Sequence, residues 1–265
     1  MNIDLSNQTV VITGGGSGIG FATAKLFLGA GARTAICGRD RDKLTEATEE
    51  LNKLFPESLL FSSCCDVLDN DQVKSFASDV EKHLGDADIL VNNAGQSRIS
   101  TFANTSDEDW RDELELKFFS IINTTRGFLT QLEKSSAAAI VCTSSLLSRQ
   151  PEPHLVATSS ARAGQLALIH GMAREFAPKG IRINTVLIGQ VESNQWRKRY
   201  KALEDDNLSW SDYTAGIAQK AGVPLGRMGK PEEAASAIFF LATSMSSFTT
   251  GSTIDVSGGL SRHVG

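Results

Sequence analysis

The chain has 265 residues, 41% of them hydrophobic, and a formal net charge of -5. Charged residues make up 22% and are of mixed sign, which leaves no basic footprint for nucleic acid and no compositional case for disorder. The longest apolar runs, such as Val10-Val11-Ile12 and Ile238 to Ala242, fall far short of the roughly 20 residues of a membrane span. The N-terminus lacks the basic segment, apolar core and small-residue cleavage site of a secretory signal, so the expected location is cytoplasmic. Cys37, Cys64, Cys65 and Cys142 have spacings that suit neither zinc nor a disulfide framework. They read as buried small hydrophobes, and no metal is expected. Only two tyrosines are present, Tyr200 and Tyr213.

Short β-rich runs alternate with longer helical patterns from end to end, the signature of βαβ units around a parallel sheet. The expected strands are Thr9–Thr13, Thr34–Cys37, Leu59–Cys64, Ile89–Asn92, Ala139–Thr143, Arg182–Leu187 and Ser252–Val256. Most are continuous apolar runs without alternation, as in strands covered on both faces. Amphipathic stretches separate them: Gly20–Gly29, Asp42–Leu54, Asn70–Leu84 with Asn70 as its capping signal, Asp107–Leu132, Thr158–Ala177, and Pro231–Ala242 with Pro at a helix-start position. No linker or repeat divides the chain, so residues 1–265 are expected to form a single domain. The exception to the rhythm is Gln190–Pro224, a long polar insertion carrying Trp196, Tyr200, Trp210 and Tyr213, which reads as a lid or binding element.

After the first strand the sequence runs Thr13-Gly14-Gly15-Gly16-Ser17-Gly18-Ile19-Gly20 directly into a helix. Glycines there let the backbone turn sharply, approach a pyrophosphate closely and point a helix N-terminus at its charge. The spacing is T-G-x-x-x-G-x-G. Further motifs follow later strands: Cys65-Asp66-Val67 after the third, Asn92-Asn93-Ala94-Gly95 after the fourth, and Asn184 to Gly189 after the sixth. Pro224-Leu225-Gly226-Arg227, Pro231-Glu232-Glu233 and Gly251 to Gly259 close the pattern. From Leu5 to Leu260 the chain resembles the short-chain dehydrogenase/reductase family.

The resemblance implies an α/β fold, a three-layer doubly wound Rossmann architecture with a seven-stranded parallel sheet, and a dinucleotide-binding site. Gly14, Gly16, Ser17, Gly18, Ile19 and Gly20 would form its glycine turn. Asp66 and Val67 would border the adenine, Asn93, Ala94 and Gly95 the adenosine ribose, and Ile188, Gly189 and Val191 would also line the cofactor. At the end of the second strand an acidic residue would bind a ribose hydroxyl and repel a 2′-phosphate, whereas a cation would attract that phosphate. Here Gly38 is followed by Arg39, with no carboxylate until Asp40. Guanidinium matches phosphate geometry, so NADP is expected over NAD.

The catalytic end departs from the family. The family's pattern implies a Tyr phenol that delivers a proton, a Lys four residues on that lowers its pKa, a Ser thirteen residues before it, and an Asn on the long preceding helix. Ile140-Val141-Cys142-Thr143-Ser144-Ser145 matches the serine segment, with Ser145 at the serine position. Thirteen residues later stands Thr158, four after that Arg162, and the Asn position on the long helix holds Lys117. An aliphatic hydroxyl is a far poorer acid than a phenol, and guanidinium does not relay a proton, though Arg162 can still hold ribose hydroxyls. Three groups are candidate proton donors. Lys117 would have its pKa lowered by burial and by Arg162, or would simply neutralise an acidic neighbour; His154 carries an imidazole, the side-chain type most used for proton transfer; and Tyr200 or Tyr213 would reach in from the lid. Two cations near the nicotinamide would favour the neutral reduced ring and an anionic substrate.

The sequence therefore supports an NADP-dependent oxidoreductase interconverting a carbonyl and a hydroxyl through an atypical proton donor. The alternative is a non-redox member of the fold, a lyase, isomerase or regulatory protein that keeps the dinucleotide pocket. The expected partners are a small-molecule substrate, no nucleic acid and no membrane. By resemblance alone, a homo-tetramer or homo-dimer is expected.

Overall fold

The computed structural model describes residues 3–203 and 207–263. Seven strands form one all-parallel sheet: β1 (Thr9–Thr13), β2 (Arg33–Gly38), β3 (Leu60–Cys64), β4 (Ile89–Asn92), β5 (Ala139–Ser145), β6 (Arg182–Ile188) and β7 (Thr253–Val256). Their spatial order is β3-β2-β1-β4-β5-β6-β7. The chain reverses its direction of travel across the sheet between β1 and β4, which opens a crevice at the carboxyl ends of those strands where this fold binds ligands.

Among the described residues, eight helices accompany the strands: α1 (Gly18–Gly29), α2 (Arg41–Leu54), α3 (Asn70–Leu84), α4 (Asp107–Leu132), α5 (Val156–Phe176), α6 (Asn194–Lys201), α7 (Trp210–Ala221) and α8 (Pro231–Ala242). Alternate residues of each strand feed opposite layers. Val10 and Ile12 of β1 pack with Phe27 of α1, Leu44 and Leu51 of α2, and Ile238 and Leu241 of α8. Val11 points the other way, into a core with Val73 and Phe76 of α3, Ile121 and Phe128 of α4, and Ile169 of α5. Burial on both faces explains why the strands read as unbroken apolar runs.

Element boundaries moved where pairing or capping outweighed composition. β5 and β6 run to Ser145 and Ile188 because the ladder continues through Ser144↔Leu187 and Ser145↔Ile188. The cap of α3 is Asp69, whose carboxylate accepts from the Asp71 and Gln72 amides, so Asn70 is the first helical residue and not the cap. Asp40 caps α2 by accepting from Lys43 N, which places Arg39 between the end of β2 and the cap. Of the four cysteines, Cys64 is only half-buried, because β3 is the sheet's edge strand. The 190–224 insertion folds into α6 and α7 around a small core of Ala218, Val223 and Met228; its residues 204–206 lie outside the described residues. Among the described residues, no helix is long and apolar enough to cross a membrane.

Candidate active site

The glycine turn is set by contacts that leave no room for side chains. A Cβ on Gly20 would lie 2.2 Å from Gly14 O. Thr13 Oγ1 accepts from the backbone amides of Asn93 and Ala94, each at 3.0 Å, and the Asn93 side-chain amide donates to Thr13 O and Gly14 O at 3.1 and 3.3 Å. The turns after β1 and β4 are thereby locked together. Asn93 spends its side chain on that lock.

Beside the turn, Gly14, Gly38, Arg39, Cys65, Asp66, Val67, Ala94 and Gly95 line a cavity of about 160 Å³. Arg39 lies 3.8 Å from Asp66 at its mouth, and 59% of its side chain is exposed. Six residues expected to bind the cofactor, Gly14 of the glycine turn and Arg39, Asp66, Val67, Ala94 and Gly95 of the adenosine half, therefore share one pocket. Gly16, Ser17, Gly18, Ile19 and Gly20 form the turn and the start of α1, and Gly18 also lines a second cavity with Arg197, Trp210 and Lys230. Ile188 ends β6 next to Ser145; Gly189 donates to Val256 O at 3.0 Å, and Val191 is buried and bridges to Gly229.

At the carboxyl end of β5, α4 and α5 pack closely. A Cβ on Gly164 would lie 2.7 Å from Phe118 Cζ, so glycine lets α5 close on α4 beside Lys117. Lys117 is 1% exposed, and its ammonium donates to Glu113 Oε1 and to Gln96 O, both at 2.8 Å. The same Glu113 oxygen accepts the Thr158 hydroxyl at 2.5 Å, with Glu113 2% and Thr158 0% exposed. Arg162 Nη1 donates to Thr143 O and Gln165 Oε1, both at 3.0 Å. Gln165 in turn donates to Lys117 O at 3.0 Å and accepts from Ser144 Oγ at 2.9 Å. Ser145 lies two residues past Thr143 and accepts from Leu147 N at 3.3 Å.

Burial, first, and the charge of Arg162, second, pull Lys117 down to about 8, against the pull of Glu113 in the other direction. Burial likewise lowers Arg162 to about 10, which leaves it charged at neutral pH. Removing one partner of a buried ion pair such as Lys117–Glu113 costs about 3–5 kcal/mol, because the other charge is left uncompensated.

The structure thus gathers Lys117, Thr158 and Arg162 into one network, with Ser145 at its edge. His154 lies exposed in the loop before α5. Tyr200 donates to Leu208 O at 2.5 Å and packs against Trp210 and Tyr213, so both tyrosines are held inside the insertion. Glu113 is the component that pattern reading missed. Its signal was its position four residues before Lys117, one helical turn on the same face. It also changes the charge argument, since one carboxylate offsets one of the two expected cations.

The residues fit a dinucleotide. The glycine turn leaves space that a Cβ would fill, the adjoining pocket carries a guanidinium at its mouth, and among the described residues buried Arg162 Nε has no hydrogen-bond partner, a donor that a bound polar group would satisfy.

Comparison with known proteins agrees. A family model described as Enoyl-(Acyl carrier protein) reductase matches residues 14–261. The chain is 32% identical over 260 residues to the 3-oxoacyl-(acyl-carrier-protein) reductase FabG of Chlamydia muridarum, covering 98% of this chain and 100% of that protein. It belongs to the short-chain dehydrogenase/reductase family. More particularly, it is similar to a short-chain oxidoreductase from Pseudomonas aeruginosa PAO1 containing an atypical catalytic center: the apo structure is 59% identical with a TM-score of 0.96, covering 98% of this chain and 100% of that one. The NADPH-bound form of that protein is 58% identical with a TM-score of 0.94, over 98% and 99% of the two chains. L-sorbose reductase from Gluconobacter frateurii, complexed with NADPH and L-sorbose, is 29% identical with a TM-score of 0.93 over 100% of both chains.

Proposed function

We propose that the protein is an NADP-dependent oxidoreductase that interconverts a carbonyl and a hydroxyl, with Lys117 as the proton donor. The observation that carries this reading is the buried Lys117–Glu113–Thr158 network beside Arg162, at the end of the cleft that the glycine turn opens. Gly14, Gly16, Ser17, Gly18, Ile19 and Gly20 would hold the pyrophosphate; Arg39 the 2′-phosphate; Asp66, Val67, Ala94 and Gly95 the adenosine; Arg162 the second ribose. Asn93 supports the turn, and Ile188, Gly189 and Val191 flank the nicotinamide side. The reduced cofactor, when bound, supplies the hydride.

The chain's own residues handle the oxygen and the proton. Ser145 orients the substrate oxygen by hydrogen bonding. Lys117, near 8, is mostly protonated at neutral pH yet acidic enough to donate, which suits a general acid. Reduction requires the protonated form, so its rate falls as pH rises through about 8. Thr158 supports the network and delivers no proton itself. The excess of one cation favours an anionic or strongly polarised carbonyl substrate. Residues 190–224 serve as the lid of a single domain, and the protein acts in the cytoplasm as a homo-tetramer or homo-dimer.

One observation favours the non-redox alternative: the hydroxyl at the family's phenol position is committed to Glu113. Titration with NADPH and NADP, followed by a screen of ketones, oxo acids and acyl thioesters for cofactor oxidation, separates the two. Turnover that Ser145→Ala abolishes supports the oxidoreductase; tight NADPH binding without turnover on any class supports the alternative.

A further inference from the structure

Among the described residues, Glu113 is the one buried carboxylate and Lys117 the one buried ammonium. The charged groups facing Lys117 come from three elements: Glu113 from its own helix, Arg162 from α5, and Arg98 from the loop after β4. Arg98 is already paired with Asp109 and Asp112. A lone ammonium buried beside a guanidinium would shed its proton. As a neutral amine it would have nothing to donate at neutral pH.

We propose that Glu113 is a positioning residue for Lys117: a single carboxylate oxygen gathers the Lys117 ammonium and the Thr158 hydroxyl, fixes the ammonium beside Arg162 and keeps it charged. The inference rests on the reading of Lys117 as proton donor. It also assigns Thr158 a task. Its hydroxyl oxygen accepts from Arg98 N at 3.1 Å, and its proton goes to Glu113 at 2.5 Å, the nearer of two acceptors, the other being Arg98 O at 3.3 Å. Threonine in place of a phenol therefore orients the carboxylate and not the substrate.

In the reduction, the Nζ–H bond of Lys117 breaks as an O–H bond forms on the substrate oxygen, and the electron pair stays on nitrogen. Glu113 remains a carboxylate throughout and draws the neutral amine back to the ammonium, with solvent as the proton source.

The test is a titration of Lys117 in full-length protein without substrate, read from the chemical shift of lysine labelled with carbon-13 at Cε. The signal is assigned by its loss in Lys117→Met. The wild-type midpoint is expected at about 8. In Glu113→Gln it falls by about 1–3 pH units, the usual effect of one adjacent opposite charge, and Glu113→Asp returns part of the way. Should Glu113→Gln fail to fold, Thr158→Val keeps the carboxylate while removing its second donor, and the Lys117 midpoint then rises. Midpoints unchanged in the variants that fold overturn the proposal, because a purely structural Glu113 would lower stability without moving the titration of Lys117. The outcome is separable from the functional reading. A midpoint that moves while Lys117→Met retains turnover removes Lys117 as donor and leaves Glu113 as its positioning group; an unmoved midpoint with inactive Lys117→Met removes only the role of Glu113.

Discussion

Replacing Arg39 by alanine should separate the two dinucleotides. Arg39 stands at the mouth of the adenosine pocket, 3.8 Å from Asp66. Two unit charges about 4 Å apart attract by about 1 kcal/mol in water and about 4 kcal/mol at the effective dielectric of a protein surface. With 59% of the Arg39 side chain exposed, solvent screening places the expected loss in the lower half of that range. About 1–2 kcal/mol corresponds to a Kd for NADPH raised about 5- to 30-fold. NADH lacks the 2′-phosphate and should bind as before. The substitution also leaves Asp66 facing the phosphate without its cation, so Arg39→Asp should weaken NADPH further. Calorimetric titration of wild type and both variants with each cofactor measures this, and raising the salt concentration should narrow the wild-type preference as the charges are screened. An equal loss for NADPH and NADH, or no loss for either, would refute the assignment of Arg39 to the phosphate.

The Arg227 guanidinium, which grips both carboxylate oxygens of Glu233, holds that group down at about 2, helped by the Lys230 amide. A depressed carboxylate stabilises the fold above its ordinary value of 4.5 and loses that contribution as pH falls toward about 2. Glu233→Gln should therefore cost up to about 1 kcal/mol at neutral pH, given its exposure, and match wild type near pH 2 in thermal melts. In the insertion, Trp210 Nε1 donates to Glu192 at 3.1 Å, and Arg197 stacks on the Trp210 ring at 3.9 Å. Trp210→Ala should speed amide hydrogen exchange across α6 and α7 and raise KM for the substrate, with the NADPH Kd little changed; exchange at the wild-type rate would deny those helices the role of a lid.

The sheet was readable because its inner strands are buried on both faces, so Val10 to Ile12 and Ile89 to Val91 stand out as apolar runs. The glycine turn was readable because Gly20 abuts a carbonyl that excludes any side chain. Strand ends were harder, since Ser144 and Ser145 carry the β5 ladder through backbone pairing that polar side chains do not interrupt. Substitutions at positions 117, 158 and 162 could be found by counting, but their consequence could not. The first half of α4 is rich in charge, so nothing in the sequence separates Glu113 from the carboxylates around it. Only the packing of α4 against α5 shows that it is buried between Lys117 and Thr158. The same ambiguity covers Asn93, whose motif suggested ligand contact while its amide is spent on Thr13 and Gly14.

Lys117 is proposed as the group that delivers the proton in an NADPH-dependent reduction. Its most direct test follows NADPH oxidation across pH in wild type and Lys117→Met with a carbonyl substrate found by the screen, while NADPH binding is measured separately. Wild-type turnover should decline above about pH 8, and the variant should bind NADPH yet turn over at least about 100-fold more slowly, the contribution expected of a general acid. A Lys117→Met enzyme with wild-type turnover and an unchanged pH profile would contradict it.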